Sequence, residues 1–141
     1  MSKGRGRKNG VRSVEKGKKA EREVARLISK WLGVPVNRNL VQARDRGQED
    51  LTGVEGWLIQ VKWRKRLELT RWWREVCEEA RARGLQPVLW WRTDGESWQV
   101  RAPVAGDMDD PIDVQPLTWL ELVRARDLVR STPSVMGHSL V

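Results

Sequence analysis

The chain has 141 residues, 39% of them hydrophobic, and a formal net charge of +8. This length predicts one domain with a single core. No apolar run approaches the ~20 residues that cross a bilayer, and no apolar stretch follows the charged N-terminus as in a secretory signal. One cysteine and one histidine exclude an internal disulfide and a cysteine-based zinc site, and they disfavour a histidine-activated nucleophile. Metal ligands would therefore be oxygen atoms, which favours magnesium or manganese.

The N-terminal segment is rich in glycine, lysine and arginine. Residues 1–19 contain eight basic residues and one acid, Glu15, whereas the rest of the chain is close to neutral. Such a segment suits a polyanion, because each phosphate contact releases counterions; a solubilising extension is the alternative. We predict a disordered basic arm over residues 1–12, one domain over 13–130 and a flexible tail over 131–141.

A first helix is predicted from about Ser13 to Leu32, ended by Gly33 and then by Pro35. Its apolar positions recur at helical spacing: Val24, Leu27, Ile28, Trp31 and Leu32. Glu21 lies within this apolar stripe, whereas Glu23 lies opposite and needs only water. A carboxylate on a buried face requires a partner or a function, so Glu21 is a candidate functional residue.

Three strands are predicted next, over residues 36–41, 50–54 and 57–63, with a polar loop at 42–49 and a turn at Glu55-Gly56. The third strand is almost continuously apolar, which predicts a central strand covered on both faces. Gln60 and Lys62 project to the same face of it, because side chains alternate along a strand. A lysine in a buried strand must be paired or functional.

The remaining elements complete a layered domain. They are a helix capped by Thr70 and ended by Gly84, a buried strand at 87–91, an exposed strand at 97–101, an irregular acidic loop at 102–116, and a helix from a capping box at Thr118 to about Arg130. The acidic residues of the loop, Asp107, Asp109, Asp110 and Asp113, lack the spacing of a calcium loop, and we interpret them as solvated. The order of elements predicts a mixed α/β sheet flanked by helices in three layers, with Glu21, Asp50 and Lys62 converging where the hairpin meets the first helix.

The aromatic composition is unusual, with nine tryptophans and neither phenylalanine nor tyrosine. The pairs Trp72-Trp73 and Trp90-Trp91 cannot both point inward in an element with one buried face. Core packing and an intermolecular interface therefore both remain open for these pairs, and one or two tryptophans could stack on bases.

At these residues the chain resembles the PD-(D/E)xK nuclease superfamily, and within it the archaeal-type Holliday junction resolvases, a type that viruses also carry. Residues 16–23 (Lys-Gly-Lys-Lys-Ala-Glu-Arg-Glu) are similar to the first helix of that family, Arg38 to the arginine that follows it, and Asp50-Leu51 to its Asp-Leu or Asp-Val pair. Gln60-Val61-Lys62 stands where the family has Glu-x-Lys, so an amide replaces one acid. The resemblance covers roughly Lys16 to Trp91.

The resemblance implies a restriction-endonuclease-like α/β core and a metal-dependent endonuclease that resolves four-way DNA junctions, as a homodimer, by paired symmetric nicks. It implies Glu21, Asp50, Gln60 and Lys62 as catalytic residues. Mg²⁺, for which Mn²⁺ can substitute, would be held by Glu21, Asp50, Gln60 and the main-chain carbonyl of Val61. The residues expected to contact DNA are Lys16, Lys18, Lys19, Arg22, Arg38, Arg44, Arg46 and Arg64.

Other interpretations remain open on the sequence. The chain could be a nicking or restriction-type enzyme of the same superfamily, or a non-catalytic protein that binds branched DNA and lost its activity with Gln60. Glu21 could be in a structural ion pair, Asp50 could be a turn residue and Gln60 a core amide, while Glu49 could partly restore the missing charge. The expected location is the cytoplasm, that of the host if the chain is encoded by a virus, with no membrane partner.

Overall fold

The computed structural model describes residues 2–39, 50–103 and 107–131 of the chain. The elements in chain order are α1 (Ser2–Leu32), β1 (Asn37–Arg38), β2 (Leu51–Thr52), β3 (Trp57–Arg64), α2 (Leu69–Arg83), β4 (Gln86–Thr93), β5 (Gln99–Pro103), β6 (Pro111–Val114) and α3 (Pro116–Ser131). Among the described residues, no helix combines the length and the apolar character that a membrane crossing requires.

All six strands belong to one mixed sheet, in which each strand pairs with its neighbours in sequence order. Strands β3 and β4 run parallel over eight paired positions, from Trp57 with Gln86 to Arg64 with Thr93, and the other pairs are antiparallel. A parallel pair requires a crossover, which α2 provides. The predicted fold class, a mixed α/β sheet flanked by helices, is confirmed.

The core lies in two layers, one on each face of the sheet. Side chains from β3 and β4 such as Leu58 and Leu89 pack with α2 on one face. Their neighbours Ile59, Val61 and Val88 pack with α1 and α3 on the other. The central strand is therefore buried on both sides, as its continuous apolar character predicted.

The tryptophans form part of this interior. Trp90 and Trp91 point to opposite faces, and because both faces are covered, both side chains are buried; Trp72 and Trp73 are also both buried, against the α2 side of the sheet. An intermolecular interface is not needed to account for either pair. On the other face, edge-to-face contacts join Trp57 to Trp119 and Trp119 to Trp90, at 5.3 and 5.8 Å between ring centroids.

Several element boundaries differ from those predicted. Helix α1 begins at Ser2 rather than about Ser13, so the backbone predicted as a disordered arm is helical; extending an existing helix needs no new nucleation. Helix α2 begins after Glu68, not at a Thr70 cap, and α3 begins at Pro116, ahead of the predicted cap at Thr118. Proline suits the first helical position because its missing N–H has no partner there.

The predicted acidic loop contains a strand, β6, which pairs with β5 at the edge of the sheet. Pro111 and the exposed side chains of Ile112 and Asp113 concealed this strand from the sequence pattern. Proline is depleted in strands and is confined mainly to edge strands and strand starts, and Pro111 is the first residue of an edge strand. Asp113 accepts hydrogen bonds from Arg101 at 2.6 and 2.9 Å across the pair. Of the tail predicted over 131–141, Ser131 is the last residue of α3, and residues 132–141 lie outside the described residues.

Gly53 connects β2 to the turn before β3, and both its backbone conformation and its close neighbours favour glycine at this position. Its φ of +126° lies where side chains are strained, and a Cβ there would stand 2.3 Å from the carbonyl oxygen of Pro35. We expect Gly53→Ala to lower the free energy of unfolding by more than about 2 kcal/mol, measured by urea denaturation.

Gly17→Ala is the matched control, because a Cβ at this helical position would contact nothing within 4 Å. This variant should gain about 0.5–1 kcal/mol of stability. Equal stabilities of the two variants would contradict the close approach of Gly53 to Pro35.

Candidate active site

The candidate site forms where β2 separates from β3. The Asp50 backbone is the last paired position of the hairpin, since its N–H donates to the Ile59 carbonyl at 2.9 Å and its carbonyl accepts from Asn39 N at 2.9 Å. Two residues further along β3, the Val61 N–H has passed the end of β2 and donates instead to Asp50 Oδ2, at 2.6 Å. The Asp50 carboxylate thus accepts the hydrogen bond that the backbone of a neighbouring strand would otherwise accept.

Asp50 is the only charged or polar residue classed as buried in the described part of the chain, with 4% of its surface exposed. Burial raises the pKa of its carboxyl from 3.8 to about 7, against the lowering effect of the Val61 N–H. The charge of Glu21 raises this pKa further, and the charges of Lys62 and Arg64 lower it. The charges of Glu21 and Lys62 therefore both act on the Asp50 carboxyl, and Asp50 is more than an exposed turn residue.

Glu21 reaches the site from α1 with only 15% of its side chain exposed. Its Oε2 accepts a hydrogen bond from Arg38 Nε at 2.7 Å, an ion pair between α1 and β1. The sequence left open a structural ion pair between Glu21 and a cation across the core, such as Lys62. An ion pair is present, but its cation is Arg38, which was expected to contact DNA.

Gln60 and Lys62 occupy alternate positions on β3 and are half-buried. The buried Leu58, two residues earlier, packs on the α2 side of the sheet, so strand alternation directs Gln60 and Lys62 to that face. Glu21 approaches from the α1 side. Asp50 lies at the edge of β3, between the α1 face and the α2 face of the sheet. Side chains from both faces can approach its carboxylate there, at the open end of the hairpin.

The cations of α1 that were predicted to contact DNA lie beside Trp63. The ammonium groups of Lys16 and Lys19 lie 5.5 and 5.6 Å from its ring centroid, and Lys16 also pairs with Asp94. The remaining predicted DNA contacts are divided: Lys18, Arg22 and Arg64 are exposed, Arg38 is half-buried against Glu21, and Arg44 and Arg46 lie outside the described residues, as does Glu49.

Two residues near the site, Arg92 and Glu23, were not identified as functional candidates from the sequence. Arg92 on β4 lies with its guanidinium carbon 4.3 Å from the Trp63 ring centroid, and with Nη1 3.9 Å from Glu23 Oε2. Glu23 is therefore not simply solvated. No local pattern relates positions 23, 63 and 92, because the contact exists only through the parallel pairing of β3 with β4.

The available ligands suit a hard divalent cation. Within the described residues, no three acidic, histidine or cysteine side chains stand together as a metal-holding group. Two carboxylates, Asp50 and Glu21, supply oxygen atoms, and Gln60 can add an amide oxygen. The Val61 carbonyl lies at the same strand edge as its N–H. The raised pKa of Asp50 indicates that Lys62 and Arg64 do not fully compensate its buried charge, which a metal ion would do.

The chain matches a known family of nucleases. A model of the family described as "Phage putative PDDEXK endonuclease" matches residues 12–123. Hjc, a Holliday junction resolvase from the archaeal hyperthermophile Archaeoglobus fulgidus, has a similar structure with a TM-score of 0.45 and 18% identity, over 72% of this chain and 84% of that chain. No curated protein matches the sequence.

The raised pKa of Asp50 predicts a pH-dependent stability. Its folded-state pKa of about 7 exceeds the ordinary 3.8, so the native state binds the proton more tightly, and stability falls as pH rises from about 4 to about 7. Asp50→Asn does not titrate and retains an oxygen that can accept from the Val61 N–H. Relative to the parent, it should gain stability across this interval, by at most about 4 kcal/mol at pH 8.

Urea denaturation in EDTA at a series of pH values measures this difference. Asp110→Asn is the control, since Asp110 is exposed, and its stability relative to the parent should stay constant. A constant difference between Asp50→Asn and the parent would contradict the raised pKa.

Proposed function

The chain belongs to the phage PDDEXK endonuclease family, and on that premise we propose that it is a metal-dependent endonuclease that resolves four-way DNA junctions by paired symmetric nicks. At the level of the family, it is a nuclease of the PD-(D/E)xK type, a group that generally uses divalent metals. The cation we propose is Mg²⁺, with Mn²⁺ as a substitute.

The observation that carries the proposal is the buried Asp50 carboxylate at the open end of the β2–β3 hairpin. Its pKa responds to Glu21 on one side and to Lys62 on the other. Two acids and a lysine therefore lie near one strand edge. Packing alone does not favour this arrangement, because burial of Asp50 opposes its ionisation, whereas phosphodiester hydrolysis can use it.

In this proposal Asp50, Glu21, Gln60 and the Val61 carbonyl hold the metal ion. Metal binding supplies a water of lowered pKa and positive charge beside the scissile phosphate. Lys62 shares the strand face of Gln60, so its ammonium can orient the attacking water and neutralise charge that develops on the phosphate oxygens. The amide of Gln60 leaves the ligand set with two carboxylates, which predicts weaker metal binding than a three-acid site would have.

Arg38 holds Glu21 in position within this ligand set. The 2.7 Å bond from its Nε orients the carboxylate, but it also competes with a metal ion for the same Oε2. Whether replacement of Arg38 raises or lowers the affinity for the metal ion therefore tests whether Glu21 is a ligand.

The substrate and the assembly are proposed from the sequence resemblance of residues 16–23, Arg38 and the Asp50 and Lys62 positions to the junction resolvases. A homodimer with one site per subunit would place two cuts symmetrically across a junction. We propose the cytoplasm as its location, that of the host cell for a phage protein. The related alternative is a nicking or restriction-type enzyme with the same site.

A non-catalytic protein that binds branched DNA is the second candidate. Two observations favour it: Gln60 stands at a position of the acid in the family pattern, and Glu21 is already paired with Arg38. Under this alternative the fold and the basic surface bind junctions, and the carboxylates are too few to hold the metal ion.

Cleavage of labelled four-way junction and of matched linear duplex, with Mg²⁺ and with EDTA, tests the proposal. We expect paired nicks in the junction only, dependent on Mg²⁺. Lys62→Ala should reduce the rate by about 10²- to 10⁴-fold, because it removes the group that handles the water, while binding in EDTA stays unchanged.

Arg74→Gln is the control, since Arg74 is exposed on α2, and it should cut at the parent rate. Cutting of both substrates would favour the nicking or restriction-type enzyme. Tight binding without cutting by the parent, together with cutting by Gln60→Glu, would favour the non-catalytic candidate. Full activity of Lys62→Ala would remove Lys62 from the mechanism.

Removal of the Arg38 guanidinium should strengthen metal binding. A hydrogen bond between charged groups contributes about 1.5–3 kcal/mol, so its loss frees Glu21 for the cation, and we expect Arg38→Gln to bind Mn²⁺ about tenfold more tightly. Isothermal titration without DNA measures this affinity. Glu21→Gln should bind more weakly than the parent, and weaker binding by Arg38→Gln would show that Arg38 supports the ligand set instead of competing with it.

A further inference from the structure

A basic surface lies on the outer side of α1, away from the buried stripe of the helix. It is an open cleft of about 700 Å³, and we call it the Trp63 cleft. Its lining consists of Glu15, Lys16, Lys19, Arg22, Glu23, Arg26 and Trp63. The cleft is linked to the candidate active site through the backbone, because Trp63 follows Lys62 on β3 and Arg22 follows Glu21 on α1. Trp63 lies on the α1 side of the sheet, the side from which Glu21 approaches, and Lys62 lies on the other.

The acids near this cleft are already engaged with cations. Asp94 pairs with Lys16 and accepts the Trp63 indole N–H at 3.0 Å, and these hydrogen bonds lower the pKa of Asp94. Glu23 lies 3.9 Å from Arg92, and Glu15 lies 3.9 Å from Lys18. Each of these three acids is therefore paired with a cation in or beside the cleft.

Three cations of the cleft, Lys19, Arg22 and Arg26, form no ion pair with any acid in the described part of the chain. They stand three and four residues apart, so they share one face of α1. From Lys19 to Arg26 the helix rises about 10 Å, and three successive phosphates of one strand span two steps of 3.4 Å, about 7 Å along the duplex axis. The two lengths are comparable within the reach of lysine and arginine side chains, so this row of cations suits neighbouring phosphates of one strand.

Trp63 contacts the Lys19 end of this row. Its ring is held by the indole bond to Asp94 and by an edge contact to the buried Trp98, 6.5 Å between centroids. Cations from α1 and β4 lie within 6 Å of that ring: Lys16, Lys19 and Arg92. With these cations around its ring, Trp63 is better placed to hold them than to stack on a base.

We propose that the Trp63 cleft binds the sugar-phosphate backbone of a duplex DNA arm that flanks the scissile phosphate, with Lys19, Arg22 and Arg26 contacting successive phosphates. The proposal rests on the proposed endonuclease function for the position of the cut, and it adds Arg26, Trp63 and Arg92 to the residues that serve DNA. It predicts that part of the binding energy arises beside the catalytic strand and is independent of metal.

Salt-dependent binding tests the cleft without requiring cleavage. Dissociation constants are measured in EDTA, over a series of salt concentrations, for a four-way junction, a linear duplex of the arm sequence and the corresponding single strand. Lys19→Gln and Arg26→Gln should each reduce the slope of log K against log salt by about 0.9 on both junction and duplex, the value for one phosphate contact.

Arg74→Gln removes one exposed charge from α2, on the other face of the sheet, and should leave the slope unchanged. Thermal unfolding confirms that the variants are folded, which we expect because Lys19 and Arg26 are exposed. Slopes for Arg26→Gln and Lys19→Gln that equal that of Arg74→Gln would overturn the proposal. A loss confined to the single strand would overturn the duplex assignment, and a loss confined to the junction would overturn the arm assignment.

The failure of this proposal is distinguishable from failure of the endonuclease function. A reduced slope without any cutting would retain the cleft and remove the enzyme, whereas junction cutting with unchanged slopes would retain the enzyme and remove the cleft.

Discussion

The hydrogen bond from the Val61 N–H to the Asp50 carboxylate is the contact around which the site is built. At 2.6 Å it closes the edge of β3 where β2 has ended, so a side chain satisfies a backbone donor that a strand would otherwise satisfy. The contact fixes a carboxylate in the interior, where burial opposes its ionisation. Continued pairing of β2 with β3 would satisfy Val61 but would leave no opening for a ligand at this edge.

Two-sided burial of β3 makes that opening possible. The strand pairs in parallel with β4 over its whole length, and apolar layers cover both of its faces. Its register is therefore fixed, since a shift by one residue would exchange the residues of the two layers. Gln60 and Lys62 are held by this register at one face, while α1 brings Glu21 to the other, and the charges meet only at the strand edge.

The two sides of helix α1 have different roles. The buried side packs Val24 and Ile28 against the sheet and carries Glu21 to Arg38. The outer side carries Lys19, Arg22 and Arg26, which form no ion pair with an acid in the described part of the chain. One helix thus carries both Glu21, the carboxylate proposed as catalytic, and the cations proposed to hold DNA, so a shift in the position of α1 would move both together.

The sequence by itself determined the elements whose periodicity was clear and the residues whose polarity conflicted with it. Glu21 within an apolar helical stripe and Lys62 within an apolar strand were identifiable because burying a charge is costly wherever the chain folds. The tertiary structure alone decided the partners: Arg38 for Glu21, Arg92 for Glu23, the second face that buries both Trp90 and Trp91, and the edge strand β6 behind Pro111. Periodicity reports which side of an element is buried, because that is a local property. It does not report which distant residue lies opposite, since strand order and helix packing are set by contacts between segments far apart in the chain.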